Sequence, residues 1–202
     1  MRKNAKSFLI SSISLLTILI LASTFLTNLS TNNINTISEP PDFYGDSKEV
    51  DIYEFTNYLK KNEIIVYLPS DILSKFEMTA IYLSESPFIA IVVYSEESNK
   101  DYKTAELTIQ ISPAISIPTY NELSSNIKNA EFEKAYEIND WPVFVNERAS
   151  SGGESSFIAK YGEYTLLTIV WIEMNQYMIN SPTLVTDEVM VLTENMRNLD
   201  DK

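Results

Sequence analysis

Residues 88–94 read FIAIVVY, Phe88-Ile89-Ala90-Ile91-Val92-Val93-Tyr94. A run that is apolar at every position has no wet side, so it reads as a central β-strand covered on both faces. The rest of the chain must supply those covers. Upstream, Ser84 to Pro87 is a turn, and Phe76 to Leu83 alternates with Phe76, Met78, Ala80 and Tyr82 on one face, which makes the two runs an antiparallel hairpin. Further upstream, Ile64 to Leu68 is a compact apolar run ended by Pro69. Before it, Ile52, Phe55 and Leu59 recur at helical spacing with Tyr58 beside them, predicting a helix over Lys48 to Asn62 whose capping box uses Asp46 and Glu49.

Downstream, a charged loop from Glu96 to Lys103 leads into Thr104 to Ser112. There Ala105, Leu107, Ile109 and Ile111 alternate with Thr104, Glu106, Thr108 and Gln110, so one face of this strand is wet or lines a polar cleft. Thr119-x-x-Glu122 is a capping box for a short helix with Tyr120, Leu123 and Ile127 inward. Glu131 to Ile138 and Pro142 to Ala149 read as strands joined at Asn139-Asp140. Phe157 to Lys160 and Tyr164 to Ile172 read as a hairpin about Gly162, followed by a short strand at Tyr177 to Ile179. A closing helix over Thr186 to Leu199 places Val189, Leu192, Met196 and Leu199 on one stripe. The expected fold class is α+β: a twisted, mainly antiparallel sheet with two or three packed helices, forming one domain over residues 48–202.

Ahead of that domain, residues 7–29 read SFLISSISLLTILILASTFLTNL and carry no charge. As a helix they would span roughly 35 Å at about 1.5 Å per residue, enough for a hydrocarbon core of about 30 Å. Arg2, Lys3 and Lys6 precede the stretch and no acidic residue occurs before Glu39, so the positive-inside rule leaves residues 1–6 as a cytoplasmic stub and sends the domain outward. Two outcomes place the domain outside the cytoplasm: an uncleaved transmembrane anchor at the cell membrane, or a signal cut near Ala22-Ser23-Thr24 that releases a secreted chain. Residues 30–47 are polar, with Pro40-Pro41 and Gly45, and read as a linker.

Composition removes whole classes of chemistry. The 202-residue chain has no cysteine and no histidine, which excludes disulfides, thiolate nucleophiles, cysteine–zinc sites and Ser-His-Asp catalysis. After residue 30 the chain holds 28 acidic and 12 basic residues, a net charge of −16 that repels nucleic-acid backbones and anionic headgroups. No catalytic residue, cofactor site or metal site is assigned. The carboxylates lack calcium-loop spacing around an obligatory glycine. Two candidate binding features remain: a partner loop at Ser150, Ser151, Gly152, Gly153 and Glu154, and an apolar cleft lined by Phe88, Ile91, Trp171 and Met196.

Several short signatures recur in order: the leading helix followed by Leu68-Pro69-Ser70 and Phe76; Ile91-Val92-Val93-Tyr94-Ser95; Leu107-Thr108-Ile109-Gln110; Trp171-Ile172-Glu173 with Tyr177; and the closing helix from Thr186 to Met196. Over about Val50 to Arg197 this order resembles an uncharacterised family of extracytoplasmic C-terminal domains on membrane-anchored prokaryotic proteins, domain of unknown function 4367. The resemblance implies an envelope-associated domain with no assigned catalytic residues. The apolar N-terminal stretch and an acidic domain without a catalytic constellation make the leading expectation a membrane-anchored binding or sensing domain for an envelope protein or peptide. The alternatives are a carrier or chaperone for an apolar, lipid-like ligand, and a carboxylate-dependent hydrolase.

Overall fold

A computed structural model describes residues 47–152 and 155–200. The expected stub, the apolar stretch 7–29 and nearly all of the linker lie outside the described residues.

The described chain forms a large, wholly antiparallel sheet with four helices. Its strands are β1 (Lys48–Val50), β3 (Glu77–Glu85), β4 (Phe88–Ser95), β5 (Leu107–Pro113), β6 (Glu133–Ile138), β7 (Trp141–Ser150), β8 (Tyr164–Ile172) and β9 (Asn175–Ser181). Their spatial order is β1-β3-β4-β5-β9-β8-β7-β6. Two meanders, β3-β4-β5 and β6-β7-β8-β9, therefore meet at a single seam where β5 pairs with β9, in register from Thr108↔Asn180 to Pro113↔Asn175. A separate two-stranded ribbon joins β2 (Tyr67–Pro69) to β10 (Met196–Asn198).

The helices are α1 (Ile52–Lys61), α2 (Tyr120–Asn126), α3 (Ser155–Tyr161) and α4 (Thr186–Glu194). The main core lies on one face of the sheet, here called the inner face. Leu83, Val92, Ile109, Ile111, Val145, Val170 and Ile179 there meet Phe55 and Leu59 of α1, Val189 and Leu192 of α4, and Leu68 and Met196 of the ribbon. The outer face carries two smaller clusters. Ala80, Tyr82, Ile91 and Val93 pack with Ala105 and Tyr102. Ile169 and Trp171 pack with Leu123 of α2, which crosses this face between β5 and β6. Strand β4 is thus covered on both sides, as its sequence demands.

Several expectations are corrected, each for a local reason. The first helix does not span Lys48 to Asn62: residues 48–50 pair with the edge of β3, and α1 begins after Asp51, whose carboxylate accepts the Glu54 N–H at 2.7 Å. Asp51, not Asp46 with Glu49, is the cap. Phe157 to Lys160 is helix rather than strand. Strand β8 already has β7 and β9 on its two sides, so no edge remains there, while Phe157 and Tyr161 meet one helical turn apart with ring centroids at 5.0 Å and planes tilted by 57°. Gly162, at φ +92°, ends that helix with its N–H on the Ile158 carbonyl.

The closing helix stops at Glu194, and Met196 is buried by the β10 ribbon instead of by a further helical turn. A bulge between Met78 and Ala80 breaks the expected face of β3, leaving Met78 exposed. The capping box at Thr119 and Glu122 forms reciprocally, but Tyr120 is exposed and Leu123 alone is buried. Asn139 and Asp140, at φ 52° and 64°, make the two-residue turn expected between β6 and β7.

Two buried tyrosines separate packing from hydrogen bonding. The Tyr94 hydroxyl is fully enclosed and has no hydrogen-bond partner, and burial pushes its pKa far up. The Tyr177 hydroxyl, equally enclosed, accepts the Tyr67 N–H at 3.0 Å and so ties the ribbon to the sheet. Tyr94→Phe removes only an orphaned group and is expected to be neutral or stabilising by up to about 1 kcal/mol. Tyr177→Phe strands a backbone donor and is expected to cost about 1–3 kcal/mol. Urea denaturation of the two variants beside the parent checks both signs.

Candidate functional site

The expected cleft residues do not share one site. Phe88 and Met196 are buried in the inner-face core. Ile91 and Trp171 lie on the outer face, in its two separate clusters. Those two flank a stripe along the β5–β9 seam in which Ile91, Gln110, Met178, Ile169 and Phe144 stand in one cross-strand row. Thr108 and Asn180 form the neighbouring pair. This is the polar face read from the Thr104 to Ser112 alternation, and the structure changes its character. Thr108 and Glu106 are buried, whereas Gln110, Gln176, Met178 and Asn180 are half-buried.

Polar atoms under this face go unmatched. The Gln110 Oε1, Trp171 Nε1, Ser84 Oγ and Glu106 Oε2 atoms are all enclosed without a hydrogen-bond partner. Orphaned buried groups cost about 1–3 kcal/mol each, so natural surfaces carry few without a reason. Sequence alternation pointed to the stripe. It gave no sign that crossing segments would half-cover it.

At one end the stripe is closed by α3. Glu106 is 5% exposed; its Oε1 accepts the Tyr161 hydroxyl at 3.1 Å, and Lys160 Nζ lies at 3.6 Å. The Ser181 hydroxyl donates to the Glu106 backbone carbonyl at 2.6 Å, fixing the strand beneath. Burial pulls the Glu106 carboxyl upward. The Ser95 hydroxyl, the Glu106 backbone N–H, Tyr161 and Lys160 together outweigh it and hold the group below the usual glutamate range. Ser95 acts here as a nearby dipole without reaching Oε2 in hydrogen-bond geometry.

The expected partner loop runs directly into this helix. Ser150 ends β7, Ser151 is buried, and Gly152 takes φ 57° with its N–H on Ser150 Oγ at 3.4 Å. Gly153 and Glu154 lie outside the described residues. A second feature is a polar pocket of about 430 Å³ where Lys134, Glu147, Tyr164 and Thr186 meet at the start of α4. Its centre is neutralised internally: Lys134 pairs with Glu147, which also accepts the Thr186 hydroxyl at 2.7 Å. Among the described residues no three carboxylates converge as metal ligands.

Because the native Glu106 carboxyl is depressed, its contribution to stability is present above the ordinary glutamate range and is lost as pH falls through the folded-state value. Glu106→Gln should cost about 1–2 kcal/mol at neutral pH, and the gap from the parent should close on acidification. Thermal melts of both proteins across the acid range would show a constant gap if the carboxylate charge were irrelevant.

No family model matches this chain, and no curated protein or solved structure is significantly similar to it.

Proposed function

We propose that the chain is a membrane-anchored extracytoplasmic binding domain, held by residues 7–29, that captures a basic segment of an envelope protein or peptide on its outer sheet face. The observation that carries this reading is the charge-free stretch behind Arg2, Lys3 and Lys6, joined to a domain in which most lysines are already paired with carboxylates. Six of the nine described lysines are within ion-pair distance of carboxylates: Lys48, Lys60, Lys75, Lys100, Lys134 and Lys160. The acid left over faces solvent and favours a cationic partner by long-range attraction.

The half-buried stripe at Gln110, Gln176, Met178 and Asn180 supports recognition on the outer face, since it mixes an apolar contact with amide groups. The resemblance to extracytoplasmic domains of unknown function belongs to the same reading. The placement of Phe88 and Met196 in a packed core, away from Ile91 and Trp171, lends nothing to a lipid carrier.

Native mass spectrometry of the full-length chain, extracted gently from its host membrane, tests the proposal. A co-purifying protein is expected, lost with Met178→Lys, which sets a like charge against a basic segment, and weakened by raised salt, with the urea midpoint of the variant measured to confirm that it is folded. A bare chain, or a reproducible adduct of lipid mass, would count against it. The chain's own mass reports whether a segment ending near Ala22-Ser23-Thr24 has been cut away.

A further inference from the structure

One end of the sheet gathers apolar side chains that no packing explains. Strand register identifies the groups that share this end. Glu85 pairs with Phe88 across the β3–β4 turn, Pro113 of β5 pairs with Asn175 of β9, and Asn175 pairs with Ile172 beside the Glu173-Met174 turn. The segment after β5 then runs Pro113-Ala114-Ile115-Ser116-Ile117-Pro118, inside a stretch without charge between Glu106 and Glu122. In this acidic protein Ile115 is 83% exposed, Met174 71%, and Ile65 and Ile117 44% each.

These residues form one rim. The Ala114 N–H donates to the Met174 carbonyl at 2.8 Å, and the Asn175 side-chain amide donates to the Ile65 carbonyl at 2.8 Å. The protruding isoleucines and methionine are thus carried on backbone that is bonded together. Exposed apolar groups clustered on a rigid support mark an interaction surface more than isolated ones do.

The described chain begins at the same end: Lys48 pairs with Leu83, two residues from the β3–β4 turn. From β1 across to β5 is three strand spacings, about 14 Å at about 4.8 Å each. Residues 30–46 extend at most roughly 60 Å, so the tether lets this end reach a bilayer without forcing it there. The choice falls to the rim itself.

We propose that the Ile65, Ile115, Ile117 and Met174 rim docks on the lipid bilayer, seating the domain end-on with its outer face turned sideways and open. This rests on the anchored reading above. Tethering raises the local concentration of lipid surface, so a rim too small to bind a vesicle from solution is occupied when the chain is already anchored. The apolar tips would sit among headgroups to a depth of about 5–10 Å, as interfacial side chains do. The net negative charge of the domain makes a zwitterionic surface the preferred one, and anionic lipid should lift the rim away at low salt.

The absence of cysteine makes a direct test clean. Full-length chain carrying Met174→Cys, or Ser98→Cys on the opposite end after β4, is labelled with an environment-sensitive fluorophore. It is then reconstituted in phosphatidylcholine vesicles doped with a nitroxide lipid. Docking predicts quenching at Met174→Cys at least about threefold stronger than at Ser98→Cys, a contrast removed by adding Ile115→Glu. Equal, weak quenching at both positions in chain that floats with the vesicles overturns the docking alone. Chain stripped from the vesicles by alkaline carbonate overturns the anchored reading, and the docking with it. An emission shift at Met174→Cys that follows protein density rather than nitroxide assigns the rim to a second copy and overturns the lipid proposal.

Discussion

Everything in this fold hangs on one strand pairing, β5 with β9. Each meander is local in sequence: β3-β4-β5 forms within about forty residues and β6-β7-β8-β9 within about fifty. Neither half buries its inner face alone. The seam brings Leu107, Ile109 and Ile111 beside Tyr177 and Ile179, and only then is the inner face wide enough for α1, α4 and the β2–β10 ribbon. The pairing closes a loop of more than sixty residues, so its entropy must be met by the apolar area it joins.

The seam also explains why the outer face differs from the inner one. Its two apolar clusters lie to either side, over β3 and β4 and over β8, where the Tyr102 loop and α2 reach. Over the seam itself the residues are Thr108, Gln110, Gln176, Met178 and Asn180. A sheet that buried this stripe fully would enclose more unmatched amides, and several polar atoms there are already orphaned. A half-covered polar stripe between two apolar shoulders follows from that conflict. It is the surface on which the proposed recognition rests, while the apolar rim at the end of the sheet serves the proposed orientation on the membrane.

Much of this was legible in the sequence because it is local. Residues 88–94 could only be a strand covered twice, the Thr119 and Glu122 capping box closes on itself within one turn, and Asn139-Asp140 accepts the positive φ that a tight hairpin requires. The likeness of Phe157 to Lys160 to a strand failed for a non-local reason, since strand formation needs a free edge and β8 had none. The closing helix failed similarly: helical spacing continues through Met196, but pairing with Pro69 offered that side chain a buried place as a strand residue.

The sequence by itself determined the excess of acid, the missing cysteine and histidine chemistries, and the identity of most strands and helices. These depend on composition and on side-chain period along a few neighbouring residues. Tertiary structure alone decided which faces meet. Ile91 and Trp171 came to one face and Phe88 and Met196 to the other, because each added strand or ribbon must use the edge and the face its predecessors leave open. It also gathered Ile65, Ile115 and Met174, spread over more than a hundred residues of the chain, at one end of the sheet. No periodicity encodes that meeting, since it arises from strand register summed across the sheet.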